Sequence, residues 1–103
     1  MDNFNAKTID LIGYSEKGIL SKVIVKNDKF DITLFSMAEG TEISEHTATK
    51  QGFVYVIEGE GVFSFKKEDI VMSPGVFIYL TDNKVHSLMV SKNTSFILVL
   101  NNV

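Results

Sequence analysis

Residues 40–59, GTEISEHTATKQGFVYVIEG, and residues 75–86, GVFIYLTDNKVH, decide the reading of this chain. Each sets one histidine, His46 or His86, beside an apolar run of strand length, and the chain has no other histidine. Val, Ile, Phe and Tyr dominate those runs, which suits a pleated strand better than a helix. Glycines bracket the first stretch and open the second, so each run has turn signals at its borders.

Working outward, the same pattern recurs. Residues 19–26 are β-branched and partly alternating, followed by an Asn27-Asp28 turn. Residues 30–37 alternate, with Phe30, Ile32 and Leu34 on one side and Thr33, Phe35 and Met37 on the other. Gly40 breaks the chain. Residues 53–57 form a strand, Glu58-Gly59-Glu60-Gly61 a turn, and 62–66 the next strand. The charged group 66–69 turns the chain into 70–72, which ends at Ser73-Pro74-Gly75. Strands at 76–80, 86–90 and 95–100 complete the set, with a polar turn at 81–84. No segment has a helical period. Short strands at near-regular spacing predict an all-β sandwich or barrel. The single proline, Pro74, sits at a break, where its missing donor harms no ladder.

The runs 53–57, 76–80 and 96–100 are apolar on both faces. A sheet with one wet face alternates more cleanly. Something must cover the second face, which predicts a homodimer or a strand exchanged between subunits; the alternative cover is the N-terminal arm, residues 1–18, folded back over the outside.

Composition bounds the function. A chain of 103 residues holds one domain, here an arm at 1–18 and a barrel at 19–101. A hydrophobic fraction of 45% implies a packed core. The absence of cysteine removes disulfides, thiolate metal sites and cysteine nucleophiles. Net charge is −3, and the lysines are scattered, so neither nucleic acid nor an anionic membrane is an expected partner. The N-terminus lacks a basic start followed by an apolar run, and no apolar segment approaches the ~20 residues of a membrane span, which predicts a cytoplasmic protein.

The two opening stretches resemble the paired motifs of the cupin superfamily. The first motif reads G-x5-H-x-H-x3,4-E-x6-G; Gly40, His46 and Gly59 fall in register, while Ala48 stands for the second histidine and Gly52 for the glutamate. The second reads G-x5-P-x-G-x2-H-x3-N; Gly75 and His86 fall in register, while Thr81, Asn83 and Val90 replace the rest. Fifteen residues, 60–74, separate the motifs. Within cupins the chain is similar to small single-domain proteins whose first motif reads S-E-H-T-A-P, matched here by Ser44-Glu45-His46-Thr47-Ala48. The resemblance covers about residues 30–100 and implies a double-stranded β-helix, a jelly-roll barrel, with His46 and His86 at its mouth.

What the histidines do has two readings. The resemblance implies a divalent metal (iron, manganese, nickel or zinc) held by His46 and His86 with non-standard further ligands, as in a dioxygenase or isomerase. Zinc normally takes three or four protein ligands, and non-haem iron takes two histidines and a carboxylate. Substitutes nearby are few: Glu45 points to the opposite face from His46, Glu42 shares its face only if the strand is regular, and Gln51 is a weak neutral ligand. The other reading is a metal-free pocket lined by His46, Ala48, Gln51, Gly52, Val54 and His86. There Ala48 and Gly52 widen the cavity and lower its polarity, which suits a small organic ligand.

Other features read plainly. Gly59-Glu60-Gly61 is a hairpin turn and lacks the rest of a phosphate loop. Met37, Met72 and Met89 read as core fillers rather than soft copper ligands. Tyr55 and Tyr79 read as packed rings with the hydroxyl at an edge. No serine sits in a nucleophile elbow, and a triad would have to recruit one of the two histidines. Asn93-Thr94-Ser95 is a formal glycosylation sequon without meaning in the cytoplasm.

Overall fold

The computed structural model describes residues 3–81 and 83–103. Met1, Asp2 and Asp82 lie outside the described residues, and with them the start of the N-terminal arm and one position of the turn expected at 81–84. The described elements are one helical turn, α1 (Thr8–Leu11), and nine strands: β1 (Ile19–Lys26), β2 (Phe30–Met37), β3 (Glu42–Thr47), β4 (Gly52–Glu58), β5 (Gly61–Phe65), β6 (Glu68–Met72), β7 (Phe77–Leu80), β8 (Val85–Val90) and β9 (Thr94–Asn101). They form two antiparallel sheets, ordered β1-β2-β9-β4-β7 and β3-β8-β5-β6. From β3 onward the chain passes repeatedly from one sheet to the other, which is the winding of the expected double-stranded β-helix.

Strand register explains the core. Val54 pairs with Ile78 across β4 and β7, and Val56 pairs with Phe96 across β4 and β9, so these side chains share the inner face. From the opposite sheet Phe63, Met72, Leu88 and Val90 meet them, with Met37 and Leu80 completing the buried cluster. Each strand gives alternate residues to this core, as a pleated chain must. Met37 and Met72 are fully buried fillers. Met89 is not: it lies between the inward Leu88 and Val90, so alternation turns it out, and it is 56% exposed.

The motif glycines have a conformational reason. Gly40, Gly59 and Gly75 have φ of +82°, +114° and +91°, the left-handed region that a Cβ disfavours. At Gly59 a Cβ would also strike Thr94.

The strands read as apolar on both faces have one buried face and one outer face. The sequences Phe53-Val54-Tyr55-Val56 and Phe77-Ile78-Tyr79-Leu80 lie antiparallel, Phe53 opposite Tyr79 and Tyr55 opposite Phe77. The valines, isoleucine and leucine point inward, and the four rings form an outer patch in which Tyr55, Phe77 and Tyr79 are exposed. Elsewhere on this outer face the N-terminal arm is the cover. Tyr14 donates its hydroxyl proton to Glu58 at 2.7 Å and lies 2.6 Å from Ser95 Oγ. Leu11 and Gly13 border Leu34 and Ser36, which are buried despite facing outward. The arm therefore shields the end of β2 and β9 that carries Leu34, Ser36 and Ser95, and leaves the β4 and β7 rings uncovered.

Candidate functional site

The site begins with the pairing of β3 and β8. Glu42 opposes Met89, Ile43 opposes Leu88 and His46 opposes His86, so Ser44 and Glu45 together face the single residue Ser87. This is a β-bulge, two residues against one. It shifts the alternation: Ile43 and His46 face inward although three positions separate them. Glu42 shares the outward side of Met89, so the same-face relation expected for Glu42 and His46 in a regular strand does not hold. Glu45 also points away from the barrel, lining the outer surface with Glu42 and Asp69.

His46 and His86 meet across the strands as an inward pair, with ring centroids 4.1 Å apart and an edge-to-face angle of 67°. Continuing across the sheet, His86 opposes Phe65, and Phe65 opposes Glu68. Glu68 thus completes the row but stands two strand spacings, about 10 Å, from His86. The ring of His86 stacks on Phe63 at 5.2 Å and meets Phe65 edge-on at 6.2 Å. His46 is exposed and His86 buried, at 6%. Burial, followed by the neighbouring His46, holds the His86 imidazolium below the ordinary histidine range, against a smaller opposing pull from the Lys84 carbonyl.

The two rings share a tautomer. His46 Nδ1 lies 3.0 Å from the Ser44 carbonyl, and His86 Nδ1 lies 3.3 Å from the Lys84 carbonyl. A carbonyl only accepts, so each neutral ring carries its proton on Nδ1 and presents a lone pair at Nε2. No buried side-chain nitrogen or oxygen among the described residues lacks a partner. His86 Nε2 has no hydrogen-bond partner among the described residues.

The other expected lining residues scatter. Ala48 lies past the end of β3, half-buried, and its backbone accepts from the Asn83 amide at 2.7 Å, tying the β3–β4 and β7–β8 turns together. Val54 is a core residue at 1% exposure. Gly52 does not widen a cavity. Its missing Cβ would overlap the carbonyl oxygen of Val99 on β9, so the backbones are in contact and no space is opened. Gln51 accepts a hydrogen bond from the Tyr79 hydroxyl at 2.8 Å and, with Gly52, borders a groove of about 420 Å³ on the outer face, away from the histidines.

The donor set does not fit a three-ligand metal centre. Two imidazoles face inward together, the nearby glutamates Glu42 and Glu45 face out, and Gly52 has no room for a carboxylate. Among the described residues no group of three or more His, Asp or Glu side chains is placed to hold a metal ion.

Two features escaped the sequence. One is the aromatic bracket of Phe63 and Phe65 around His86, which alternation alone permits but only register identifies. The other is a cleft of about 680 Å³ where the β5–β6 hairpin meets the β7–β8 turn, lined by residues that include Phe65, Lys66, Lys67, Tyr79 and Lys84.

Comparison with known proteins agrees with this geometry. A cupin superfamily protein from Desulfitobacterium hafniense superposes with a TM-score of 0.88 at 22% identity, over 98% of this chain and 93% of that one. A conserved protein of unknown function from Streptococcus pyogenes superposes at 0.87 with 19% identity, over 100% and 90%. The DMSP lyase DddQ from Ruegeria pomeroyi superposes at 0.76 with 11% identity, over 82% of this chain and 47% of that one. At these identities the likeness is one of fold. No curated protein matches the sequence. The profile of the cupin domain family matches residues 33–100, and the chain belongs to that family.

Proposed function

We propose that this cupin binds a small molecule at the end of the barrel marked by His46 and His86. The observation that carries the reading is His86 itself. Its ring is buried between Phe63, Phe65 and His46, its pKa is lowered by that burial, and its Nε2 has no partner among the described residues. An apolar wall with one convergent acceptor is what a small organic ligand uses for burial and orientation. The test is a fragment screen followed by the imidazole NMR signals. Binders that shift the His86 signals and lose affinity in His86→Ala support the reading; a screen in which no fragment moves them sinks it.

The second reading is a metal-dependent enzyme using His46 and His86. The shared Nδ1-protonated tautomer favours it, because it leaves each Nε2 unprotonated and able to ligate. The missing carboxylate weighs against tight binding. Metal titration at about pH 8, above the ordinary imidazole pKa of ~6.5, separates the two. Stoichiometric uptake lost in both His46→Ala and His86→Ala supports the enzyme; equal uptake in all three proteins removes it.

The functional unit in this reading is a homodimer joined through the outer rings of β4 and β7. Phe-x-Tyr occurs on both strands, and their antiparallel pairing makes the patch nearly two-fold symmetric, so it matches itself. Phe30, Ile97 and Val99 extend it across β9 and β2. A face four strands wide at about 4.8 Å spacing is near 20 Å across, the scale on which interfaces of ~800 Å² per partner are built.

A further inference from the structure

We infer that the outer face of the four-stranded sheet docks a basic segment of another protein, a short extended stretch that carries lysine or arginine beside apolar residues. The surface is independent of the histidine pocket, which lies on the inner face of the same sheet.

Segregation of charge points to the partner. Strands β3, β5, β6 and β8 hold four carboxylates and neither lysine nor arginine. Glu68 shares the inward register of Phe65, while Glu42, Glu45 and Asp69 face out. The lysines nearest this sheet, Lys66, Lys67, Lys84 and Lys92, stand in the turns that connect its strands. The ion pair among the described residues joins Lys92 to Glu60, both of them turn residues. A surface that only has to stay soluble mixes both signs of charge and needs no apolar row. This face has one sign and such a row, so a cation on an apolar stem complements it.

Register shows how the two features combine. Glu42, Met89, Val62 and Val71 oppose one another in turn across the four strands. This row is apolar over three strands, and Val71 and Met89 are 65% and 56% exposed. One step along, Ser87 opposes Ser64 and Ser64 opposes Asp69, with Glu45 beside Ser87 at the β3 bulge. The second row is therefore a hydroxyl floor with a carboxylate at each end, and it borders a groove of about 570 Å³.

Dimensions select a segment over a folded domain. Four strands of about five residues make a face of about 14 by 17 Å, or ~240 Å², far below the ~800 Å² per partner of a standard interface. Glu45 and Asp69 stand three strand spacings apart, about 14 Å. An extended chain advances ~3.3 Å per residue, so two basic residues four positions apart point to one side and reach both carboxylates. An apolar residue midway between them rests on Ser64 and Ser87, against Met89 and Val62.

The test titrates the full chain with the blocked peptide KVTVKVTVK, its acidic counterpart EVTVEVTVE, the valine-free KGSGKGSGK and spermine, followed by amide NMR shifts. The first peptide is expected to move the amides of Ser64, Asp69, Ser87 and Met89. It should bind about tenfold more tightly than each of the other probes, and added salt should weaken it. Glu45→Gln/Asp69→Asn, at exposed positions, is expected to lose about tenfold in affinity with an unchanged melting midpoint. Val71→Lys should lose binding to a similar degree. Equal binding of the basic and acidic peptides, spermine or the valine-free peptide binding as tightly, shifts confined to another surface, an unaffected double variant, or no peptide binding overturns the inference. The His86 signals report on the pocket separately, so either reading can fail alone.

Discussion

Gly52 and Val99 are in backbone contact across β4 and β9, with the Gly52 Cα turned against the Val99 carbonyl. A side chain at 52 has to displace a strand. The absence of a glutamate there is therefore a property of the sheet and not a simple truncation. Gly52→Glu should destabilise the protein by about 1–3 kcal/mol or more through overpacking and leave metal retention at the parent level. Gly52→Ala should destabilise in the same direction, since the Cβ itself makes the clash. Urea unfolding checks both; a stable Gly52→Glu that gains a bound metal would contradict this.

The depressed pKa of His86 sets an acid limit. Unfolded, the ring takes up a proton near the ordinary histidine value of ~6.5; folded, it does so only at lower pH. In the window between, the unfolded state binds more protons, so stability is full above that value and is lost as pH falls. Replacing His46 by Ala removes the neighbouring positive charge and should raise the His86 pKa, flattening the loss. Imidazole NMR titration of the parent and His46→Ala is the measurement. An unchanged His86 midpoint would mean that the pair is not electrostatically coupled.

Tyr14 anchors the N-terminal arm. Its pKa is pushed up to about 12, first by burial and also by its hydrogen bond to Glu58 and that residue's charge, with Ser95 opposing. The folded phenol thus holds its proton longer than the unfolded one, and its contribution is present below pH ~10 and lost on rising through the folded value. Tyr14→Phe strands the fully buried Ser95 hydroxyl and should cost about 1–3 kcal/mol. Thermal unfolding at neutral and alkaline pH tests this: the variant should start less stable and lose less on going alkaline.

The outer rings give an oligomer prediction. Light scattering should find a dimer, and Phe77→Lys should convert it to monomer. Val71→Lys, on the outer face of the other sheet and also well exposed, should leave the dimer intact. A parent protein that stays monomeric at high concentration would exclude this surface.

Much of the fold was legible in the chain because strand alternation is written in residue type. β1 and β2 fall at the expected positions, and the glycines of both motifs occupy the turns that require them. β3 was not legible: EISEHT is polar and mostly exposed, so it lacks the apolar signature of a strand. Its bulge has no local signal either, since it exists only relative to β8. The site was legible to the extent of two inward histidines. The contact at Gly52, the position of Gln51 on the outer groove, and the lysines gathered from two turns all depend on which strands are neighbours. Tyr14 is the extreme case, with partners 44 and 81 positions away.

The extra residue in β3 also shapes the electric field of the molecule. By turning Glu42 outward alongside Glu45, it places two carboxylates on the outer surface of the four-stranded sheet, where Asp69 joins them. The three carboxylates therefore share one outer surface, and an anion that approaches that side meets like charge.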